Sequence, residues 1–314
     1  MAWQGLWPIA DGHADSLTSL KQQNRMLFQE STEGHLDLPR MRRSGVDLQV
    51  LAICAEDRKE SMEWAKEIIR TIDGEMLRNP GSAVWLRTQT DWKSWEERKQ
   101  SGYLLALEGL EPLAGRPEAL REFHRLGIRM VSLTWNHTNE FAGGAMESGG
   151  LTDIGRTAIA IIEELGMALD LSHLNRDSFW QVIEMNPQCP VLVTHANADR
   201  LCPHPRNLTD EQIKAVSIHG GTVGVALFPP FLKGDMATIE DVVNHLLHIW
   251  KIGGKECLAL GCDFDGIGKT PMGIETVLDL PRLYQAIRAG FTDDSVVRGA
   301  LGKNLCRALR KTGS

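Results

Sequence analysis

Five segments of the chain set a metal-binding type of side chain directly after a short apolar run. They are Ile9–Asp15, Leu104–Glu108, Ala168–His173, Val191–His195 and Leu258–Asp263. Imidazole and carboxylate together suit zinc or a similar first-row divalent metal. His13 and Asp15 are two residues apart, so in an extended chain both side chains point the same way and can share one cation. Taken alone, the pair has a plainer reading, with Asp15 capping a helix and His13 hydrogen-bonded in the core. Glu108 ends an apolar run, where a carboxylate is costly to bury unless paired or metal-bound. Its two oxygens could bridge two ions roughly 3.5–4 Å apart; it could also be an ordinary surface Glu. His173 and His195 end successive runs at equivalent positions. Asp263, in Cys262-Asp263-Phe264-Asp265-Gly266, is a candidate general acid or base, and Asp265 more simply braces the loop that follows. As a set, these side chains are what a two-metal hydrolytic centre needs: two divalent ions sharing a hydroxide and polarising a carbonyl or phosphoryl oxygen.

Groups so far apart in sequence can meet only if the fold brings the ends of their runs to one rim. Strand candidates lie near 8–13, 46–53, 103–107, 129–134, 167–172, 190–194, 222–227 and 257–262, bounded by Gly, Pro or polar residues. Helical spacing fills the gaps. Ser61–Leu77 has apolar residues on one helical face, and so does Thr152–Leu165. Thr209 with Gln212 forms a capping box, and Thr238 with Asp241 an acidic variant of it. Strand–helix alternation implies parallel pairing, and eight repeats in a chain of this length fit an α/β (β/α)8 TIM barrel of the metal-dependent hydrolase type. The runner-up, an open doubly wound sheet, expects a Gly-rich phosphate turn after its first strand; Asp11-Gly12-His13-Ala14-Asp15 offers ligands instead. No composition break divides the chain, so 1–314 is read as one catalytic domain. The Gly-rich stretch Asn139–Gly150 is read as a mobile loop over one face.

Bulk properties exclude several function classes. The 314 residues carry a formal net charge of -7, without the basic footprint that nucleic-acid binding requires. No apolar stretch approaches the ~18 residues that would span a membrane. The start, Met1-Ala-Trp-Gln-Gly-Leu-Trp-Pro8, has no signal-peptide pattern, and Arg310–Ser314 has no lipid-anchor tail. Six cysteines without a C-x-x-C pair read as small buried hydrophobes in a reducing compartment. A cytoplasmic protein is expected.

Several longer segments together resemble the membrane dipeptidase (renal dipeptidase) family of metallopeptidases. They are Asp11–Asp15, Leu107–Gly109, Gly150–Arg156, Leu165–His173, Thr194–Ala198, His204–Asp210 and Gly261–Gly266, with Gly302–Leu305 resembling the family's C-terminal element. The resemblance implies two zinc ions per chain. His13 and Asp15 would hold one, His173 and His195 the other, and Glu108 would bridge them. Asp263 would be the catalytic acid/base, and Arg206 would receive the terminal carboxylate of a dipeptide. It also implies a bridging hydroxide as nucleophile, tolerance of a D-residue at the C-terminal position, and homodimers. Two positions depart from the family's pattern. Where mammalian members carry a substrate-contacting His, this chain reads Leu133-Thr134-Trp135, with His137 two residues on, a subfamily difference that makes it resemble the soluble bacterial-type members. Phe228 stands where some members have an aromatic hydroxyl. Trp135, His137 and Phe228 are therefore candidate substrate-binding residues that set preference. An apolar pocket also suits an alternative: a hydrolase of the same fold acting on a lactone, a cyclic amide or a peptide-derived biosynthetic intermediate.

Overall fold

Ser101–Glu108 is buried along its whole length, and so are the first six residues of Leu48–Cys54. Strands apolar on both faces need a paired neighbour on each side and cover on each face. The computed structural model, which describes residues 8–55, 61–98 and 100–312, meets that need with a ring. Its strands are β1 (Ala10–Ala14), β2 (Leu48–Cys54), β3 (Ala83–Trp85), β4 (Ser101–Glu108), β5 (Ile128–Ser132), β6 (Ala168–Asp170), β7 (Val191–Leu192), β8 (Val223–Val225) and β9 (Leu258–Leu260). The parallel order is β7-β6-β5-β4-β2-β1-β9-β8. A parallel bridge from Val193 to Val223 joins the two ends. The expected (β/α)8 barrel is what forms. Met1–Trp7, which the signal-peptide reading concerned, and residues 313–314 lie outside the described residues.

β3 is an addition that the sequence reading did not contain. Three residues are too few to show a period. β3 pairs with Ser101–Tyr103 at the start of β4, and β5 takes over that edge from Leu105 onward. Trp85 stacks on Tyr103 there, with ring centroids 5.9 Å apart.

The anticipated helices are present as Ser61–Arg78, Asp153–Glu164, Asp210–Ile218 and Ile239–Gly253. Thr152 accepts from the Gly155 N–H, and the Thr209–Gln212 box is reciprocal, with bonds of 3.0 and 3.3 Å. Asp241 accepts from both the N–H and the hydroxyl of Thr238, at 2.9 and 3.0 Å.

Inside the ring, Ala10, Leu48, Val50, Leu104, Ala106 and Met130 belong to one apolar cluster. Trp92, Trp95, Leu305 and Leu309 extend that cluster beneath the starting ends of the strands. Near the other end the wall is tight. A Cβ on Gly224 or Gly261 would lie 2.0 or 1.7 Å from the Thr194 carbonyl oxygen, so only glycine fits either place.

The Asn139–Gly150 segment, expected to be mobile, is tethered. Asn139 donates to the Leu133 carbonyl and to Glu111, Gly143 N–H donates to Ser178, and Asn175 donates to the carbonyls of Glu147 and Gly149. Its glycines serve close approach: a Cβ on Gly144 would meet the His137 carbonyl oxygen at 2.3 Å. All six cysteines are free thiols. Among the described residues no helix is long and apolar enough to cross a membrane.

Candidate metal centre

The strand register sets one layer of side chains above the barrel. Trp135, His173, His195, Phe228 and Asp263 are each the third residue after the end of β5, β6, β7, β8 and β9 respectively. His13 lies within β1, Asp15 follows that strand, and Glu108 ends β4. Chain ends that share a sheet edge therefore deliver their side chains to one place. Holding them there strains the backbone. His173 (φ 70°), Asp263 (φ 61°) and Asp265 (φ 65°) occupy the left-handed region, at a cost of about 1–3 kcal/mol each. For Asp265 the compensation is visible. Its carboxylate accepts from Ser16, Arg25 and the His35 N–H, all at 3.3 Å or less. Asp265 does brace a loop, but the segment it ties down is the one after β1, around Ser16, Arg25 and His35, whereas the sequence reading places it against the loop that follows Asp265.

The expected ligands converge. Glu108 Oε1 lies 2.8 Å from His173 Nε2 and 3.3 Å from both His13 Nε2 and His195 Nε2. His13 Nε2 is 3.4 Å from Asp15 and 4.0 Å from Asp263. Three sets of ligand atoms are each close enough to hold one cation: His13–Asp15–Glu108, Glu108–His173–His195 and His13–His195–Asp263. All of these side chains are buried.

The residues fit a metal better than they fit one another. Both ring nitrogens of His13 and Oδ1 of Asp15 are buried without a hydrogen-bond partner. Buried polar atoms are rarely left so. His173 Nε2 and His195 Nε2 approach to 2.7 Å, each also facing Glu108. A Cβ on Gly266 would fall 2.1 Å from Asp15 Oδ2 and 2.6 Å from Asp263 Oδ1, so the glycine leaves the carboxylates their cradle. N and O donors in this mixture suit a first-row divalent ion.

Burial and neighbouring charge push the titrations apart. Burial lowers His173 to about 4, helped by the positive charge of Arg206. Burial, then the charge of His13, takes His195 well below its usual value. Both imidazoles are thereby held neutral, the ligating form. Burial, then the charge of Glu108, raises Asp15 to about 6. Burial also raises Asp263 well above the usual carboxylate range, against the pull of His13. Glu108 goes the other way: burial opposes ionisation, but the charge of His13 and the hydrogen bond of His173 prevail.

Arg206 is 5% exposed and donates to the His195 carbonyl at 3.3 Å. Among the described residues no carboxylate forms an ion pair with it, and burial lowers it to about 10. Its guanidinium sits 5.5 Å from the Phe231 ring, which meets Phe228 edge-on at 4.9 Å. Trp135 stacks on His173 at 6.1 Å. His137 lies further out and exposed, with Nδ1 2.8 Å from Glu147.

The sequence reading missed the residues behind the ligands. Asn136 Oδ1 is 2.9 Å from His173 Nδ1, and Thr194 Oγ1 is 2.9 Å from His195 Nδ1. Asp170 accepts from the Thr194 hydroxyl. The available signal was Asp170 itself, a carboxylate inside an otherwise apolar strand.

Comparison with known proteins follows the same lines. The family model described as membrane dipeptidase, peptidase family M19, matches residues 4–314. Dipeptidase aclJ of Aspergillus oryzae is 30% identical over 96% of this chain and 77% of its own length. The crystal structure of dipeptidase AC, a metallo peptidase of family M19, superposes with a TM-score of 0.90 at 28% identity, covering 98% of both chains. A metallo peptidase from Rhodobacter sphaeroides, bound to a phosphinate mimic of the dipeptide L-Ala-D-Ala, gives 0.87 at 29% identity over 97% of this chain and 99% of that one. A match of that extent, on a barrel whose strand ends gather metal-competent donors, means that the chain belongs to the membrane dipeptidase family and is a metallo-dipeptidase.

Proposed function

We propose that the cluster holds two zinc ions and that the enzyme cleaves the peptide bond of dipeptides. On this reading His13 and Asp15 hold one ion, His173 and His195 the other, and Glu108 both. The observation that carries it is the approach of three imidazole Nε2 atoms to one carboxylate oxygen, at 2.8–3.3 Å. When bound, the ions would supply Lewis-acid polarisation of the scissile carbonyl and would acidify water. The remaining work falls to protein side chains. Asp263 takes a proton from the attacking water and returns it to the leaving amine, a role suited to a carboxyl of raised proton affinity. Arg206 takes the terminal carboxylate of the substrate in its guanidinium fork. That pairing removes the penalty of a buried, unpaired cation and sets the reacting bond one residue from the anchor. Trp135 and Phe228 supply apolar walls, and His137 is a contact at the rim. The Rhodobacter sphaeroides relative binds a mimic of L-Ala-D-Ala, and we infer that this chain also accepts a D-residue at the C-terminal position.

The test is hydrolysis of a dipeptide panel, with L-Ala-D-Ala beside L-Ala-L-Ala, before and after chelation. Activity should vanish on chelation and return with about two zinc equivalents per chain. Turnover indifferent to chelation, or turnover of lactones without dipeptides, overturns the reading. Arg206→Ala should raise KM about 10–100-fold with a smaller change in kcat, the size of a charge-assisted hydrogen bond. An unchanged KM removes its assigned role.

A further inference from the structure

We propose that Asp170 and Thr194 are positioning residues that fix the tautomer of His195, so that its Nε2 lone pair faces the metal centre. The proposal rests on His195 being a metal ligand. It follows from counting hydrogens around one hydroxyl. Thr194 Oγ1 has one hydrogen to give and two lone pairs. Three groups approach it: an Asp170 carboxylate oxygen, Ser172 Oγ at 3.3 Å and His195 Nδ1 at 2.9 Å. A carboxylate only accepts, so the hydroxyl hydrogen goes to Asp170. Ser172 Oγ already accepts from the N–H groups of Thr194 and His195, at 3.0 and 3.3 Å. Its own hydrogen is therefore free to point at Thr194. The remaining lone pair of Thr194 then calls for a donor, so His195 Nδ1 carries the hydrogen and Nε2 does not. Asp170 is itself fixed: its other oxygen accepts from the N–H groups of Ser172 and Thr194, at 2.9 and 3.0 Å. All four residues are buried, so water does not substitute for any partner. His173 lacks this determinism. Its Nδ1 faces the Asn136 amide, and an amide can present either its oxygen or its nitrogen.

Nitrogen-15 NMR of the histidine-labelled, metal-free enzyme reads the tautomer directly. The wild type should show His195 protonated at Nδ1. Protonation at Nε2 overturns the proposal without any variant. Thr194→Val removes the hydroxyl, and Asp170→Asn keeps the shape while offering an N–H to Thr194, which turns its hydroxyl hydrogen toward His195. Both should mix or reverse the tautomer and weaken zinc binding 10–100-fold. Thr194→Ser should restore zinc affinity to within about threefold of wild type. Wild-type affinity in both Thr194→Val and Asp170→Asn overturns the proposal, as does a variant that loses affinity with its tautomer unchanged. If zinc leaves the His195 signals of the wild type unmoved, what fails is the assignment of His195 as a ligand.

Discussion

The β1 side of the centre and the β6–β7 side are built differently. His173 and His195 are each held from behind at Nδ1, by Asn136 and by Thr194. His13 has no partner at Nδ1, its Nε2 has only carboxylate oxygens at 3.3 Å or more, and Asp15 Oδ1 has no partner. Orienting partners behind a ligand fix its ring and raise its basicity. One half of the site is thus shaped before any ion arrives, and the other half depends on the ion for its satisfaction. The comparison teaches that two equivalent-looking ligand pairs need not bind equally: the β6–β7 pair should hold its ion more tightly.

The largest expected effect comes from the group common to both halves. Glu108→Gln should lower kcat/KM by more than about 10³-fold and reduce the metal content; a variant with full metal content would show that the two sides are independent of it. Asp15→Asn comes next. It should leave about one ion per chain and cost roughly 10²-fold in kcat. Loss of both ions on metal analysis would break the comparison. A fall in pH separates the halves without mutation. His173, at about 4, stays unprotonated at pH 5, whereas Asp15, at about 6, takes up a proton below that value. Against burial, the charges of Glu108 and Asp15 also raise His13 well above its usual value. Protons therefore compete with the ion for both ligands of the β1 side, and its affinity should fall by at least about tenfold per pH unit, beginning above about pH 6. Metal content after dialysis at pH 7.5 and at pH 5.0 should show one ion leaving first; joint loss would contradict the asymmetry. The smallest effect belongs to His137→Ala. An exposed pair such as His137–Glu147 contributes under ~1 kcal/mol, so KM should change less than about threefold. A larger change would make His137 a main contact for the substrate.

What the sequence made legible follows from the same physics. A charged group ending an apolar strand stands out because burial penalises it, and that contrast located His13, Asp15, Glu108, His173, His195 and Asp263. The barrel was legible because buried parallel strands are apolar throughout. β3 was not, since three residues paired to the overhanging start of β4 carry no period of their own. The glycines of Asn139–Gly150 suggested mobility, yet Gly144 is there because the His137 carbonyl presses on it. Thr194 and Asn136 stayed hidden because a Thr or Asn beside a His looks the same whether or not it braces the ring. Asp170 was a partial exception, a carboxylate where an apolar residue would be cheaper.

The crowding of Gly224 and Gly261 on the Thr194 carbonyl has a bearing on catalysis. Thr194 is joined to His195, and a methyl at Gly261 would also stand 3.3 Å from the His195 Cα. To admit that methyl, the peptide carrying the imidazole must swing away from β9, and the Asp170 hydrogen bond must stretch with it. The seam that shuts the barrel and the aim of a metal ligand are therefore a single mechanical constraint. An alanine at Gly261, just past the end of the strand that also delivers Asp263, would misdirect the imidazole of His195.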